Sequence, residues 1–283
     1  MMGRTHALTG ALAGLLVGRA IGLSPDSGQE PGVAATLTAC AALGPFAAVT
    51  AGYALVPDLD HRTSTATRLL GPVTRLLSRG LRGTSRWLYE RTKGPADEPG
   101  GEHRHLTHTL VFAAALGGLC AATTAAWGPW AVLGWLTFGL LLAVDRLGLP
   151  ALVAYGAGAA AWLPATLSGS GLPDGQAVLA ALDASSGWLG LAVALGCAVH
   201  CLGDALTESG CPLLWPFLPI RGETWYEVRP PSWLRFRTGK RFERLVVFPL
   251  VALGCLAAIP GLVPQVIELV TPPAQLAAGG GLR

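Results

Sequence analysis

Long apolar runs alternate along this chain with short polar, arginine-rich stretches. Runs at residues 33–56, 106–127, 130–144, 149–167, 187–206 and 245–270 approach the roughly 20 apolar residues that a helix needs to cross a bilayer core. A seventh, at 7–23, is interrupted by Arg19, which lies near enough to a helix end to snorkel to the interface. The pattern predicts an all-α, polytopic helical membrane protein with about six to seven transmembrane helices. Residues 1–270 read as a single membrane-embedded domain with polar loops at about 57–105 and 207–244, and 271–283 as a flexible tail. The first run resembles a signal peptide in outline. His6, a glycine-rich interior and the lack of a small-x-small cleavage site before Pro25 favour a retained helix.

Composition agrees: 51% of the 283 residues are hydrophobic and 13% charged, with a mean hydropathy of +0.48, which fits a soluble domain poorly. Cys40, Cys120, Cys197, Cys201, Cys211 and Cys255 mostly fall inside apolar runs rather than in CxxC pairs, so they read as small buried hydrophobes.

Charge then orients the loops. Residues 57–105 hold Arg62, Arg68, Arg75, Arg79, Arg82, Arg86, Arg91, Lys93 and Arg104, and 207–244 hold Arg221, Arg229, Arg235, Arg237, Lys240, Arg241 and Arg244. The positive-inside rule assigns both loops to the cytoplasm. Four runs separate them, the even number that two loops on one side require. The amino-terminal residues and the turn at Asp145-Arg146 fall on that side too. Membrane lipids are the partners such basic loops imply, and nucleic acid is not needed to explain them. Arg75, Arg79, Arg82 and Arg86, with Leu76, Leu77 and Leu81 between them, predict an amphipathic surface helix. Residues 94–102, rich in Gly and Pro, predict a flexible linker.

All six histidines, His6, His61, His103, His105, His108 and His200, lie at or near junctions that this topology makes cytoplasmic. Asp58 and Asp60 stand in Pro57-Asp58-Leu59-Asp60-His61. His103, Arg104, Thr107 and His108 stand at the start of the third span, with Thr107 a candidate helix cap. His200 and Asp204 are four apart, so a helix puts both on one face inside an apolar run. An ionisable group at membrane depth is costly and points to function. Imidazole with carboxylate suits a divalent Zn, Mn or Fe ion, which offsets the repulsion among the acids and generates a nucleophile from water. Asp58, Asp60, His108, His200 and Asp204 are the first-choice ligands. His103 is a ligand or general base, and Arg104 a stabiliser of developing negative charge. His6 taken alone reads as an interfacial polar residue, and His105 as a bystander. Trp215-Pro216-Phe217 reads as an interfacial anchor. Arg237, Thr238, Gly239 and Glu243 read as positive-inside charge or as groups that bind an anionic substrate.

In this order, Thr5-His6, Pro57-Asp58-Leu59-Asp60-His61, His103-Arg104-x-x-Thr107-His108, His200-x-x-x-Asp204-x-x-Thr207-x-x-Gly210 and Trp215-Pro216, the motifs resemble the YdjM-type inner-membrane proteins, described as metal-dependent hydrolases. The resemblance implies a bacterial-type inner-membrane hydrolase with His6 joining Asp58, Asp60, His108, His200 and Asp204 as metal ligands and His103 at the same centre. Two departures stand out: His105 occupies the place of a small residue, and residues 62–102 form a long, arginine-rich loop. The leading expectation is metal-dependent hydrolysis of a phosphate-containing or lipid-like substrate at the cytoplasmic face. The alternative is a transporter or membrane scaffold in which intramembrane His and Asp bind an ion or protons. A metal-free lipid phosphatase lacks a Ser-Gly-His cradle here, and a histidine-box oxygenase lacks its His-x-x-His-His cluster.

Overall fold

The computed structural model describes residues 1–24, 32–166 and 174–271, with the side chains of 157 and 159–166 also outside the description. The predicted tail from 271 onward lies, except for Thr271, outside the described residues. The helices are α1 (Gly3–Ala20), α2 (Val33–Tyr53), α3 (Thr65–Arg68), α4 (Pro72–Thr92), α5 (Leu110–Trp127), α6 (Pro129–Leu147), α7 (Leu149–Thr166), α8 (Gly175–Ala205), α9 (Phe248–Ala258) and α10 (Leu262–Val270). Short 3-10 turns at Pro57–Asp60 and Leu106–His108 follow α2 and precede α5. Among the described residues there is no strand, only three isolated bridges.

The all-helical membrane class is as the apolar pattern predicts. Four helical stretches, Val33–Asp60, Leu110–Trp127, Pro129–Leu147 and Gly175–Ala205, are long and apolar enough to span a bilayer, or five if a bent pair is one span. The predicted run at 7–23 is helical over Gly3–Ala20, and 149–167 over Leu149–Thr166, but neither is among them. The predicted last span is the bent pair, whose two halves meet at 97°. Pro260 carries no N–H to continue α9, and Gly261, at φ +78°, takes the left-handed conformation that turns the chain. α8 begins 12 residues before the predicted run because Asp174 caps it by accepting from Gln176 N at 3.0 Å. At 31 residues it is about 46 Å long, more than a bilayer core needs.

α2 is the hub. It packs against α1, α6, α7 and α8, while α5 lies along α8. Small residues allow this closeness. A Cβ on Gly52 would come within 2.0 Å of the Gly139 carbonyl on α6, and one on Gly196 within 2.5 Å of the Thr50 carbonyl. Phe46, Val49 and Tyr53 of α2 pack with Leu189, Val193 and Cys197 of α8 in the main core, and the Tyr53 hydroxyl donates to Trp135 O at 2.9 Å. All six cysteines are free, and none lies on the exposed surface.

The chain reaches one end of this bundle repeatedly: at the start of α1, the end of α2, the start of α5, the end of α8 and the start of α9. Glu243 joins the last of these to the first by accepting from Met2 N at 2.6 Å. The Arg146 side chain lies beside Gly3 at the same end. These polar segments therefore share one end of the molecule, although only three of the four crossings counted between the two loops are among the helices long and apolar enough to span.

Candidate metal centre

Each element delivers its polar groups to this end by its own local logic. Pro57 ends the regular helix of α2 and opens a tight turn that carries Asp58 and Asp60. Helical spacing puts His200 and Asp204 one turn apart on α8, and His6 sits one turn into α1. The segment before α5 brings His103, Arg104 and His108. Thr109, not Thr107, caps α5 by accepting from Phe112 N at 3.1 Å. Thr107 faces inward instead and donates its hydroxyl to Asp60 Oδ2 at 2.6 Å.

All six proposed ligands meet. His200 Nε2 lies 3.2 Å from His108 Nε2, 3.8 Å from Asp58 Oδ1 and 3.8 Å from Asp204 Oδ2. His108 Nε2 is 3.6 Å from the same Asp204 oxygen. His6 approaches the other Asp204 oxygen, Oδ1, with Nε2 at 3.1 Å, and stacks on the His200 ring at 3.7 Å between centroids. The amino group of Met1 also lies against that oxygen. Three overlapping clusters could each hold a metal ion: His6, His200 and Asp204; Asp58, His108 and His200; Asp60, His103 and His108.

The groups behind these donors decide where their lone pairs point. His200 Nδ1 donates to the Ala54 carbonyl at 2.7 Å, and the hydrogen-bond network thereby assigns Nε2 as the bare nitrogen of the neutral ring. On His108, Nδ1 faces Thr107 Oγ1 at 3.0 Å and Asp60 Oδ2 at 3.4 Å. The Thr107 hydroxyl hydrogen is committed to Asp60, so His108 Nδ1 is the donor and Nε2 again points inward. Two bare imidazole nitrogens 3.2 Å apart repel unless a proton or a cation lies between them. Burial disfavours the His108 cation, but the Asp60 carboxylate outweighs burial and pushes the ring up to about 9.

Asp60 accepts three hydrogen bonds. Its Oδ1 accepts from His103 Nδ1 at 2.5 Å, and Oδ2 accepts from Arg104 N at 3.0 Å as well as from Thr107. Arg104 adopts a left-handed backbone at φ 60°, a costly conformation for a residue with a side chain. In return its N–H reaches Asp60 and its Nη2 reaches Asp204 Oδ2 at 2.9 Å. Its Nη1 is buried with no hydrogen-bond partner.

His6, His108 and His200 are fully buried. The open side of the centre is formed by His103, at 36% side-chain exposure, and Asp58, at 26%. His105 turns away: its Nδ1 donates to His103 O at 2.7 Å and its ring packs on Tyr89 and Trp225. His61 is exposed, accepts from Thr63 N at 3.3 Å, and touches the centre only through the edge of His103.

Several other sequence expectations change. Residues 94–102 are not a free linker, since Asp97 accepts from Gly94 N at 2.6 Å and Thr224 N at 3.0 Å and so joins the two loops. Trp215 is buried and stacked on Trp225 at 4.2 Å rather than exposed at an interface, although Phe217 is exposed. Glu243 is buried and accepts from the backbone N–H groups of Met2 and Gly239, while Arg237 pairs with Glu208. These groups close the loop; none of them faces the centre.

Thr107, singled out as a helix cap, contributes as a donor to Asp60 instead. The Ala54 carbonyl is a contributor that the sequence does not announce. So is Gly203, where a Cβ would come within 2.7 Å of the Met1 sulfur and 3.4 Å of the His6 ring. The family model described as YdjM inner membrane protein matches residues 1–265. No curated protein and no solved structure matches the chain.

Proposed function

We propose that the chain, which belongs to the YdjM inner membrane protein family, is a membrane-bound metal-dependent hydrolase whose centre opens to the cytoplasm and acts on a phosphate-containing substrate. The observation that carries this reading is the pair of inward-facing Nε2 atoms of His108 and His200, oriented from behind and flanked by the Asp58 and Asp204 carboxylates. Metal–ligand bonds of about 2.0–2.2 Å separate neighbouring ligands by roughly 3.3–3.6 Å in a four-coordinate zinc site. Separations of 3.2, 3.6, 3.8 and 3.8 Å among these donors bracket that range. The donor set therefore fits a small divalent cation such as Zn, Mn or Fe.

In this reading Asp58, His108, His200 and Asp204 hold the ion. Asp60 orients His108 and His103, and His6 supports Asp204 from its far oxygen. A bound divalent ion supplies a polarised water and charge neutralisation at neutral pH. The chain's own residues do the rest. His103, with Nδ1–H given to Asp60, presents Nε2 on the open side as the atom that accepts a proton from water. Arg104 Nη1 is a buried donor without a protein partner, suited to the oxygens of a phosphate group.

The positive-inside rule supports a cytoplasmic face, because both arginine-rich loops close over this end. A transporter would distribute polar groups along a path through the bundle. The gathering of donors at one end favours a reaction at the membrane surface instead. The test is elemental analysis of detergent-purified wild type beside His200→Ala, together with phosphoester hydrolysis before and after chelation. The expected result is about one transition-metal ion per chain, lost with that one ring, and turnover abolished by chelator and restored by metal. A wild-type protein with no stoichiometric metal, indifferent to chelation, would sink the reading.

A further inference from the structure

A groove of about 690 Å³ runs along the outside of the bundle, walled by α5, α6 and the amphipathic α4. Phe112, Leu116 and Leu119 of α5 form one wall, Trp135 and Phe138 of α6 another, and Leu77 and Leu81 of α4 close it near the polar end. Its polar functions are spent within the protein. The Thr123 hydroxyl donates to Leu119 O at 2.8 Å and accepts from Trp135 Nε1 at 2.9 Å, and the Tyr53 hydroxyl donates to Trp135 O. Such a lining offers hydrocarbon contact and little else, so its occupant is a hydrocarbon chain.

Two further features say which chain. From Phe112 to Trp127 the groove follows α5 for about 22 Å, longer than one bilayer leaflet of roughly 15 Å. At its polar end it reaches Leu59, the residue between Asp58 and Asp60. There α4 turns Leu77 and Leu81 into the groove, while helical spacing sets Arg75, Arg79 and Arg82 on its opposite face, cations that complement an anionic headgroup layer beside the groove rather than within it.

We infer that this groove holds the acyl chain of the substrate, a bilayer phospholipid with an anionic phosphate headgroup, and delivers its phosphoester to the metal centre from the side. The inference rests on the hydrolase reading for its reaction, while occupancy of the groove by lipid is a separate measurement. In the reaction water adds to phosphorus, one ester P–O bond breaks, and the leaving oxygen takes up a proton. No further co-reactant is required.

Glycine supplies matched variants. An added Cβ at Gly134, which lines the groove, or at Gly118, which does not, meets nothing within 4 Å. Gly134→Phe should therefore plug the groove, and Gly118→Phe should add a ring elsewhere on the lipid-facing surface. The full chain is placed in nanodiscs containing phosphatidylglycerol with a diazirine in its acyl chain, irradiated and mapped by peptide mass spectrometry, with metal content measured on the same samples. The expected label lies on Phe112, Leu116 or Leu119 and falls by about fivefold or more in Gly134→Phe, as loss of one or two buried methylenes predicts. In Gly118→Phe it is unchanged, and metal content is the same in all three. Long-chain phosphatidylglycerol hydrolysis should fall with the label, and hydrolysis of the dihexanoyl lipid should not. Labelling spread evenly around the bundle, equal labelling of the two variants, or equal loss on both lipids would overturn the inference. Because label and metal are read independently, an empty metal site with a labelled groove defeats the hydrolase reading alone.

Discussion

The two arginine-rich loops close on the same end of the bundle, yet only one of them feeds the centre. Residues 57–105 supply Asp58, Asp60, His103 and Arg104. Residues 207–244 pair two of their arginines with acids of the same loop, Arg237 with Glu208 and Arg229 with Glu227. The second loop still braces the first: Cys211 Sγ donates to the His108 carbonyl at 2.9 Å, and the Thr224 N–H holds Asp97. On the proposed reading, basic charge marks the membrane face, and the candidate centre sits where acids are met by histidines from other elements. Asp60 and Asp204 are buried acids whose partners lie more than 40 residues away in sequence, whereas Glu227 pairs two residues along the chain.

Substitutions can break that contrast. The largest expected effect is at Asp204, where Asp204→Asn removes a charge that His6, His108 and Arg104 all face. Metal content of the purified protein should fall from about one per chain to near zero, read by elemental analysis. Asp60→Asn should act a step away from the ion, weakening metal affinity by about 10- to 100-fold while the protein still inserts and folds. Competition with a calibrated chelator measures this, and an unchanged affinity would remove Asp60 from the orienting role. Arg104→Lys keeps a positive charge but loses the planar fork. Turnover of a phosphoester should drop by about 10²-fold with metal retained, and full activity would exclude Nη1 from the reaction. In the second loop, Arg237→Gln should change thermal stability by less than about 0.5 kcal/mol and leave metal binding alone, because its pair with Glu208 is exposed.

A pH dependence tests the same centre without a substitution. In chelator-stripped protein the His108 ring is raised from 6.5 to about 9, so its protonated form stabilises the fold below about 6.5, and that contribution is lost as pH rises toward 9. Metal must displace the same proton, so uptake near pH 7.5 should release about one proton from this ring and progressively less above about 9. Calorimetry in buffers of different ionisation enthalpy reads the count.

Much of this centre can be read from the chain. His200 and Asp204 follow from a four-residue spacing inside an apolar run, and Asp58, Asp60, His103 and His108 flank one arginine-rich loop, whereas the crossing parity counts residues 149–167 as a span that is not among the helices long and apolar enough to cross. The supporting contacts are illegible for physical reasons. The Ala54 carbonyl that orients His200 is main chain, which every residue has, and Thr107 followed capping statistics while its hydroxyl found a buried carboxylate. Hydropathy likewise missed the first third of α8, where Asp183, Ser185 and Ser186 stand in a helix that continues past the apolar run. The single last span hid a break that Pro260 and Gly261 make.

The bond from His200 to Ala54 joins residues 146 apart, from the end of α2 to α8. During synthesis α2 is made long before α8, so Asp58 and Asp60 spend that interval without the imidazole and carboxylate that complete their site. On the proposed reading a nascent or truncated chain lacks His200 and Asp204, two of the four groups that would hold the ion, and keeps only the cluster of Asp60, His103 and His108. Completion of the four-donor site would then wait until α8 docks.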